Sequence, residues 1–431
     1  MVERCTFKKE FVERILLSRG EPLAILGNGI SAQGLQKLCQ KLDLKFVIYD
    51  QNPEKGEVFT GKNVKNHKIV IGSPSFLPDH PWIIQAHKNQ LLYLSELDFA
   101  SLWCAAPIVA ITGTNGKTTI TTFLTEVFNR HSIRAFSAGN IGQSLSELIA
   151  KETLKSDDLI FCETSSFQAE SVQLIHFAHL IWSNFAPNHL NMHGTMRKYF
   201  LAKYHLLSRL GENSRIFLGQ SVLQWARKFQ IAVPERAAIV TPNCDVKGTA
   251  FEVYPQRENF ALIKKFCTVY SIPAATVLAM AKSFQKPKYR LENMGTIRGN
   301  IYWNDSKCTN FAALDGALKN FPNEKVIWIG GGQSKGENLA DMVAILDGKI
   351  EIALLIGEMG IPLADLLQKH KMDAIYVEHI ENAMNWIKDA CLFKKNILFS
   401  PAFSSFDQFS NYVERGKFFE KCIFDLKFSH Y

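Results

Sequence analysis

The segment Ile111-Thr112-Gly113-Thr114-Asn115-Gly116-Lys117-Thr118-Thr119 limits the possible folds of this chain more than any other. It follows the apolar run Ile108 to Ile111 and opens a stretch with the spacing of an amphipathic helix. A glycine-rich turn between a buried strand and a helix lets backbone N–H groups and the helix N-terminus converge on a phosphate. Lys117 would then reach the terminal phosphates, and Thr118 would place its hydroxyl on Mg²⁺. The alternative is an ordinary glycine turn, but Gly-Lys-Thr-Thr directly after a strand favours phosphate binding.

Apolar runs of strand length alternate with stretches of helical spacing along most of the chain. In the first part, Leu23 to Leu26 leads into the turn Gly27-Asn28-Gly29 and the helical stretch Ala32 to Leu42. Such alternation predicts parallel sheets with crossover helices. The pattern restarts near Pro107 and breaks near Lys286. We therefore expect three α/β domains, over residues 1–105, 106–286 and 287–431.

Composition and charge exclude several classes of protein. The chain has 431 residues, is 47% apolar and 21% charged, and carries a formal net charge of +8. These values exclude long disorder, collagen-like repeats and a small disulfide scaffold. The basic residues form no long run, so nucleic acid is not the expected partner, and the charge fits an anionic small molecule equally well.

Cysteine usage and the N-terminal segment predict the compartment. Nine cysteines without a CxxC motif predict reduced thiols in a cytosolic protein. Met1 to Gly20 alternates charged and apolar residues, so we expect no signal peptide. No apolar run approaches the roughly 18 residues that a membrane span needs. The expectation is a cytoplasmic protein with no membrane partner.

Three further residues come into consideration because of the phosphate loop. Glu163 ends an apolar run, and a strand-end carboxylate beside such a loop is well placed to hold Mg²⁺. Without the loop, Glu163 would be interpreted as a plain strand-end acid. His189 follows Asn188, and Lys203 ends the stretch Tyr199-Phe200-Leu201-Ala202-Lys203. By themselves they would be interpreted as a structural histidine and a solvated helix lysine.

Three segments in the last third of the chain combine glycine, hydroxyl and cationic side chains. The first is Asn304-Asp305-Ser306-Lys307-Cys308-Thr309-Asn310. The second, Gly330-Gly331-Gly332-Gln333-Ser334-Lys335-Gly336, ends a strand with a lysine-bearing loop that suits an anion. The third is Ser400-Pro401-Ala402-Phe403-Ser404-Ser405-Phe406-Asp407 with its continuation to Gly416. By itself the third predicts a strand that runs into a helix, with Ser404 or Ser405 as the cap.

Together these segments resemble the Mur ligase family, and the resemblance extends from Gly27 to Gly416. The form Gly-Thr-Asn-Gly-Lys-Thr-Thr is shared by Mur ligases and folylpolyglutamate synthases and does not choose among them. The discriminating features are the compact N-terminal domain, the tetrad Gly139-Asn140-Ile141-Gly142, and the tail that starts at Ser400. These features are most similar to the branch that adds D-glutamate to UDP-N-acetylmuramoyl-L-alanine.

The resemblance implies an α/β fold and a role for individual residues. The implied domains are an N-terminal Rossmann-like UDP-binding domain, a central P-loop ATPase-like domain with a parallel sheet, and a C-terminal Rossmann-like domain. Contacts to the UDP part of the substrate are implied for Ile30, Ser31, Asp50, Ser73, Pro74 and Asn140. Contacts to ATP are implied for Gly113, Thr114, Asn115, Gly116, Lys117, Thr118, Thr119, Asn259, Arg290 and Asp305. Metal binding is implied for Thr118, Glu163, His189 and Lys203, catalysis for Lys117, His189 and Lys203, and D-glutamate binding for Lys307, Thr309, Lys335, Ser405 and Tyr412.

The function that the resemblance implies is ATP-dependent amide ligation in cytoplasmic peptidoglycan precursor synthesis. The substrates are UDP-N-acetylmuramoyl-L-alanine, D-glutamate and ATP, and the cofactors are Mg²⁺ at two sites and a carbamate on Lys203. The alanine carboxylate attacks the γ-phosphate of ATP, and the D-glutamate amine then attacks the acyl phosphate. The enzyme is expected to be a monomer. The alternatives are another Mur-type or folylpolyglutamate-type ligase and, more remotely, a non-catalytic nucleotide-binding module.

Overall fold

The computed structural model describes residues 20–74, 76, 80–242, 245–253 and 256–428. The expectation about a signal peptide falls on residues 1–19, which lie outside this range, as do Cys5 and Cys244. Within the described residues the chain forms three sheets with helices between their strands. This alternation confirms the predicted α/β class with parallel sheets.

The first sheet has four parallel strands in the order β2-β1-β3-β4. Its strands are β1 (Leu23–Leu26), β2 (Phe46–Tyr49), β3 (Ile69–Gly72) and β4 (Leu92–Ser95). Its helices are α1 (Ile30–Lys41), α2 (Pro81–Lys88) and α3 (Glu96–Ser101). Strands β1 and β3 are fully buried, as apolar tetrapeptides between two helical layers should be.

The second sheet has six parallel strands in the order β10-β9-β8-β5-β7-β6. Its strands are β5 (Ile108–Thr112), β6 (Ala135–Gly139), β7 (Leu159–Glu163), β8 (Phe177–Trp182), β9 (Leu210–Gly219) and β10 (Ala237–Val240). The same stretch of the chain contains the helices α4 (Lys117–Arg130), α5 (Leu145–Lys151), α6 (Ser166–Ser171), α7 (Leu190–His193), α8 (Met196–Tyr204), α9 (Gln220–Lys228), α10 (Gln256–Cys267) and α11 (Ala274–Ser283). Every residue of β5 and β7 is buried, so the loop that follows β5 rests on rigid strands.

The third sheet has six strands in the order β11-β12-β16-β13-β14-β15. Its strands are β11 (Glu292–Ile297), β12 (Asn300–Asn304), β13 (Val326–Gly331), β14 (Ile350–Ile356), β15 (Ala374–Glu378) and β16 (Asn396–Ala402). Its helices are α12 (Phe311–Leu318), α13 (Ala340–Leu346), α14 (Gly360–Lys369), α15 (Ile380–Asp389) and α16 (Tyr412–Phe428). Strand β11 is antiparallel and the others are parallel, with apolar clusters on both faces.

The chain divides into two compact units. The first holds the described parts of Met1–Phe185, Arg197–Asn243 and Asn259–Met280, and it contains the first and second sheets. The second holds the described parts of Ala186–Met196, Cys244–Glu258 and Ala281–Tyr431, and it contains the third sheet. The expected boundaries at 105/106 and 286/287 stay predictions.

Two buried carboxylates join the first and second sheets inside the first unit. Asp98 in α3 accepts hydrogen bonds from the backbone N–H groups of Gln173, Leu174 and Ile175, at 2.7 to 3.0 Å. Glu96 accepts one from the backbone N–H of Ser146, at 2.7 Å. These bonds satisfy backbone donors that would otherwise be buried without a partner.

Two further sequence expectations concern membrane-spanning helices and the state of the cysteines. No helix among the described residues is long and apolar enough to cross a membrane. Seven cysteines within the described range are free thiols, of which Cys391 is exposed. Burial raises the pKa of Cys162 to about 12, so this thiol is a poor nucleophile.

Candidate active site

The phosphate loop lies at the carboxyl edge of the second sheet. Its strand, β5, pairs in parallel with β7 on one side and β8 on the other. The loop adopts backbone angles that need glycine, with φ of 150° at Gly113 and 86° at Gly116. A Cβ on Gly113 would lie 2.0 Å from the Ser183 Oγ, and one on Gly116 would lie 2.3 Å from the Asn259 Oδ1. The fold thus brings Asn259, a predicted ATP contact, directly beside the loop.

Asn184 holds the loop in shape, and the sequence analysis did not single it out. Its backbone carbonyl accepts from the Thr114 N–H at 3.1 Å, and its side-chain Oδ1 accepts from the Asn115 N–H at 2.9 Å. Its Nδ2 donates in turn to the Asn115 carbonyl at 3.0 Å. The sequence signal that could have identified Asn184 is its position two residues after the end of β8, the strand that pairs with β5.

The first residues of α4 carry the cation and the hydroxyl that the motif predicts. Lys117 Nζ donates to the carbonyl oxygens of Gly113 and Thr114, at 3.0 and 3.1 Å. The ammonium is therefore held over its own loop by two backbone dipoles. Thr119, also predicted to contact ATP, is 1% exposed within the helix, which leaves its backbone N–H as the group suited to that contact.

Thr118 and Glu163, two of the predicted Mg²⁺ ligands, lie side by side. Thr118 Oγ1 donates to Glu163 Oε2 at 2.8 Å, and Asn140 Nδ2 donates to Glu163 Oε1 at 3.2 Å. Adjacent ligands of an octahedral Mg²⁺ lie about 3 Å apart, since Mg–O distances are about 2.1 Å. The hydroxyl and carboxylate oxygens already have this spacing. No group of three or more His, Cys, Asp or Glu side chains converges in the described part of the chain.

Lys203 is a buried lysine at the base of the phosphate loop. It lies in α8 with 1% of its surface exposed. Its Nζ donates to Thr112 Oγ1 at 3.2 Å and to the Gly113 carbonyl at 3.1 Å. The Tyr199 ring centroid is 5.2 Å from the same nitrogen. The expectation from the bare sequence, a solvated helix lysine, is wrong for this residue.

Burial holds the pKa of Lys203 well below its usual range. The positive charge of Lys117 lowers this pKa further, and the carboxylate of Glu163 opposes the shift. Every contact that the amine makes within hydrogen-bond distance is to a neutral oxygen. Deprotonation of the Lys203 amine therefore costs less free energy than deprotonation of a solvated lysine.

Five of the six predicted UDP contacts lie at the carboxyl edge of the first sheet, whereas Asn140 follows β6 of the second sheet. Ile30 and Ser31 open α1, and the Ile30 side chain is 69% exposed. Asp50, after β2, accepts from the backbone N–H groups of Asn28 and Asn52, at 2.8 and 2.9 Å. Its carboxylate therefore shapes the glycine-rich turn as well as being a candidate ligand group.

Ser73 and Pro74 follow β3 at the same edge. The Ser73 backbone N–H donates to the Leu26 carbonyl at 3.1 Å. A Cβ on Gly27, whose φ is 88°, would lie 2.8 Å from the Ser73 Oγ. The ends of β1 and β3 therefore approach closely only because a glycine stands at the turn.

In the second unit, the predicted D-glutamate residues lie after three neighbouring parallel strands, β12, β16 and β13. Lys307 Nζ lies 3.8 Å from the centroid of the Tyr412 ring, which is a close cation–π contact. Lys335 Nζ donates to the Thr309 carbonyl at 2.8 Å. Ser405 is 3% exposed and follows β16. The carboxyl edge of a parallel sheet is where ligands bind in folds of this class.

The loop that carries Lys335 is closed by its own hydrogen bonds. Glu337 Oε2 accepts from Ser334 Oγ at 3.0 Å and from the Lys335 backbone N–H at 2.7 Å. Burial lowers the pKa of Lys335 to about 8, with Glu337 opposing the shift and Arg415 adding to it. Lys335 is thus a cation near neutral pH that loses its charge in mildly alkaline solution.

Asp305 and Arg290 lie at the entry to the third sheet. Asp305 Oδ1 accepts from the Leu291 N–H at 3.0 Å, and its Oδ2 accepts from Ser400 Oγ at 2.8 Å. Burial raises the pKa of Asp305 to about 7, against these hydrogen bonds and the charges of Arg290 and Lys286. Their roles as ATP contacts stay predictions.

His189 lies in the second unit, just before α7. Its backbone is left-handed, with φ of 54°. The backbone N–H of Asn191, two residues later, donates to the Lys335 carbonyl at 3.0 Å. This bond ties the segment of His189 to the lysine-bearing loop of the third sheet. Its role as a metal ligand stays a prediction.

Comparison with known proteins identifies the family. Residues 111–264 match the model of the Mur ligase middle domain. A UDP-N-acetylmuramoylalanine–D-glutamate ligase of Prochlorococcus marinus is 30% identical over 386 residues, which cover 82% of this chain and 82% of that protein. The protein of the same name from Aquifex aeolicus is 29% identical over 417 residues, covering 93% and 97%.

Solved structures support the fold. The MurF ligase of Thermotoga maritima, determined in complex with ADP, has a TM-score of 0.59 at 14% identity and covers 85% of this chain and 97% of its own. At this level of identity the likeness concerns the fold alone. The predicted membership of the Mur ligases is confirmed by the matched middle domain and the near full-length relatives. The chain belongs to the UDP-N-acetylmuramoylalanine–D-glutamate ligase family of the Mur ligases.

Proposed function

We propose that this enzyme uses ATP to join D-glutamate to UDP-N-acetylmuramoyl-L-alanine in peptidoglycan precursor synthesis, releasing ADP and phosphate. The observation that carries the proposal is the phosphate loop with its hydroxyl–carboxylate pair, Thr118 and Glu163, in a chain of this family. A carboxylate is a poor acylating agent, so ATP must first convert it into an acyl phosphate. A loop that binds terminal phosphates is suited to that step.

The work of this chain is positioning and charge neutralisation. In the first step the alanine carboxylate attacks the γ-phosphorus, and the bond to ADP breaks. Lys117 and the N–H groups of the loop stabilise the negative charge on the transferred phosphoryl group. In the second step the amine of D-glutamate attacks the acyl carbon, phosphate leaves, and the amine loses a proton.

Mg²⁺ fits the pair of Thr118 and Glu163, which we propose as its protein ligands. Bound there, the ion would neutralise phosphate charge as a Lewis acid. We also propose His189 as a ligand of Mg²⁺, and a carbamate of Lys203 as a ligand of a second ion. Calorimetry tests the role of Glu163 without relying on turnover. The affinity for MgATP is compared between the unsubstituted enzyme and Glu163→Gln, which lacks the carboxylate.

Carbamylation of Lys203 is favoured because burial lowers the pKa of its amine and so makes the neutral form easier to reach. The uncharged nitrogen attacks CO₂, a C–N bond forms, one proton is lost, and the product carries one negative charge. Such a group offers the hard oxygen ligands that Mg²⁺ prefers. A lysine held as a cation would instead repel the ion.

The carbamate is tested by spectroscopy and by substitution. Enzyme equilibrated with ¹³CO₂ should show one carbamate resonance, and Lys203→Ala should lack it. Lys203→Ala should lose on the order of 100-fold in kcat, and formate or acetate should restore part of the rate. Lys203→Arg keeps a charge and cannot take up CO₂, so it should stay inactive. An active Lys203→Arg enzyme would show that the residue serves as a plain cation.

For the other substrates we propose the residues named from the family resemblance. Ile30, Ser31, Asp50, Ser73, Pro74 and Asn140 would meet the UDP part. Asn259, Arg290 and Asp305 would contact ATP with the loop 113–119. Lys307, Thr309, Lys335, Ser405 and Tyr412 would bind D-glutamate, whose two carboxylates require both cations and hydroxyl groups.

The decisive experiment measures phosphate release with ATP, UDP-N-acetylmuramoyl-L-alanine and a panel of amino acids. D-glutamate should support turnover, whereas L-glutamate, meso-diaminopimelate and L-lysine should give little. Equal turnover with any of those three would favour a ligase for another amino acid. ATP binding without phosphate release with any acceptor would instead favour the nucleotide-binding module. Gel filtration with light scattering tests the proposed monomer.

A further inference from the structure

Arg415 is a buried cation in the first turn of α16. Only 1% of its surface is exposed, and it is among the largest fully buried side chains of the described residues. Its Nε donates to Ser306 Oγ at 3.2 Å, and its Nη2 donates to the Ser306 carbonyl at 3.0 Å and the Phe403 carbonyl at 3.1 Å. Its Nη1 donates to the Ser404 carbonyl at 3.2 Å. Four hydrogen bonds thus run from one guanidinium to two loops.

These two loops carry three of the five predicted amino-acid-binding residues, namely Lys307, Thr309 and Ser405. The first loop, Ser306 to Thr309, follows β12 and includes Lys307. The second loop, Phe403 to Ser405, follows β16. Strands β12 and β16 pair directly in parallel. Beyond the ends of these strands, the Arg415 guanidinium links the two loops through hydrogen bonds.

Burial of the Arg415 guanidinium has an unfavourable electrostatic free energy. Its four hydrogen bonds go to neutral oxygens. Burial lowers its pKa to about 10, although the negative charges of Asp407 and Asp305 oppose the shift. A positive charge in the first turn of a helix also opposes the helix dipole. Burial of an unpaired charge is strongly unfavourable unless its donors are satisfied. A neutral side chain of similar size would fill the same space without this penalty. Packing alone therefore does not explain why an arginine is buried here.

The planar fork of arginine supplies that reason. Its donors point in fixed directions, so one guanidinium can hold several carbonyls at set distances, which a lysine ammonium on a flexible stem cannot do. The same end of the helix is tied down by Ser306 Oγ, which donates to the Tyr412 carbonyl at 2.8 Å. Lys307 lies over the Tyr412 ring, so its position also depends on this network.

We propose that Arg415 is a positioning residue for the amino-acid substrate: its guanidinium sets the spacing of the Ser306–Thr309 and Phe403–Ser405 loops and so aligns Lys307, Thr309 and Ser405. The inference rests on the proposed function, since it concerns the same amino-acid site. It assigns no contact between Arg415 and the substrate. It predicts that the residue governs the second step, amide formation, and not the first, acyl-phosphate formation.

The test separates the two steps in the full-length enzyme. Arg415→Lys keeps the charge but loses the fork, and Arg415→Met loses both. Misplacing substrate-binding groups by about 1 Å costs up to about 100-fold, so both variants should raise the KM for D-glutamate at least tenfold. Single-turnover ADP formation from ATP and UDP-N-acetylmuramoyl-L-alanine, without D-glutamate, should stay within twofold of the unsubstituted enzyme. Lys417→Ala, on the exposed face of the same helix, is the matched control and should change neither value.

The opposite results overturn the proposal. If Arg415 only stabilised the fold, the variants would lower the active fraction, so kcat would fall while the KM for D-glutamate stayed constant. A normal KM for D-glutamate in Arg415→Lys would likewise show that the planar guanidinium is not needed to position the two loops. If both variants fail to fold, Ser306→Ala removes one acceptor and should raise the same KM about threefold, and an unchanged KM there contradicts the proposal. Failure of the unsubstituted enzyme to use D-glutamate would refute the proposed function instead.

Discussion

Lys117 shows how much of the chemistry depends on single side chains. Its ammonium donates to two carbonyl oxygens of the loop that it follows. These bonds preorganise the charge where a terminal phosphate would develop negative charge. Preorganised donors of this kind contribute most when they need no rearrangement during the reaction.

Lys117→Ala should therefore lower kcat by on the order of 100- to 1000-fold, as does loss of one preorganised donor elsewhere. The fold should survive, because the side chain is only partly buried and the helix continues for thirteen residues beyond it. Steady-state phosphate release and a thermal melt measure the two effects. Lys155→Ala, an exposed lysine of the same unit, serves as the control. A near-normal rate in Lys117→Ala would show that Lys117 does not act on the transferred phosphate.

Lys335 makes the proposed amino-acid site sensitive to pH. Its pKa, lowered to about 8 by burial, means that the ammonium is charged below pH 8 and neutral above it. A carboxylate ligand should therefore bind well at pH 7 and lose about tenfold in affinity per pH unit above pH 8.

Glutarate is the appropriate probe because it has two carboxylates and no amine that titrates in this range. Its inhibition constant against D-glutamate should be flat from pH 6.5 to pH 7.5 and rise above pH 8. In Lys335→Arg the guanidinium stays charged, so the rise should disappear. A constant value up to pH 9.5 in the unsubstituted enzyme would mean that Lys335 does not bind a carboxylate.

At the scale of elements, helix α3 depends on one carboxylate that also serves a distant loop. Asp98 caps its own helix through Ser95, whose Oγ donates to it at 2.8 Å. It also accepts from three consecutive backbone N–H groups beginning at Gln173. Since an amide has only one acceptor oxygen, Asn cannot satisfy all these donors.

Asp98→Asn should lower the free energy of unfolding by about 2 to 4 kcal/mol, because at least one buried donor loses a charged acceptor. Urea denaturation followed by tryptophan fluorescence measures this change. Asp157→Asn, at an exposed position of the same unit, should change it by less than about 0.5 kcal/mol. Equal effects of the two substitutions would show that the backbone donors find other partners.

Most of the secondary structure could be predicted from the sequence, and the wrong or missed strands have local causes. The predicted strand Leu23 to Leu26 matches β1, since an uninterrupted apolar run bounded by glycine is unambiguous. The apolar run Leu180 to Trp182 forms only the second half of strand β8, Phe177–Trp182, because His179 interrupts the apolar pattern in the first half. Strand β9 was not predicted, since its first half, Gly-Glu-Asn-Ser, is polar.

At the scale of the whole molecule, the chain crosses between its two units more than once. The segments Ala186–Met196 and Cys244–Glu258 belong to the second unit although they are flanked in sequence by the first. Their described residues contribute buried apolar side chains there. The Phe251 and Phe284 rings, for example, stack with centroids 5.6 Å apart.

A fragment that ends at Met280 should therefore be unstable even though it keeps both of the first two sheets. It would leave Phe251, which is fully buried in the full chain, without the Phe284 ring that stacks on it. We expect the fragment to bind a hydrophobic dye and aggregate at concentrations where the full chain does neither. A soluble fragment with a sharp thermal transition would show that these segments fold without the second unit.

The sequence by itself determined the phosphate loop, the α/β class and the family. A strand, a glycine turn and a helix that follow one another within about twenty residues depend on local backbone chemistry, so Gly113, Gly116 and Lys117 could be recognised directly. The tertiary structure alone decided what surrounds them: Asn184 and Asn259 against the loop, Asn140 on Glu163, and Arg415 between two loops. It also decided the state of Lys203, whose burial depresses the pKa of an amine that looks like any helix lysine in sequence. The physical reason is that strand order and burial come from contacts between distant residues, and both the convergence of side chains and their ionisation depend on those contacts.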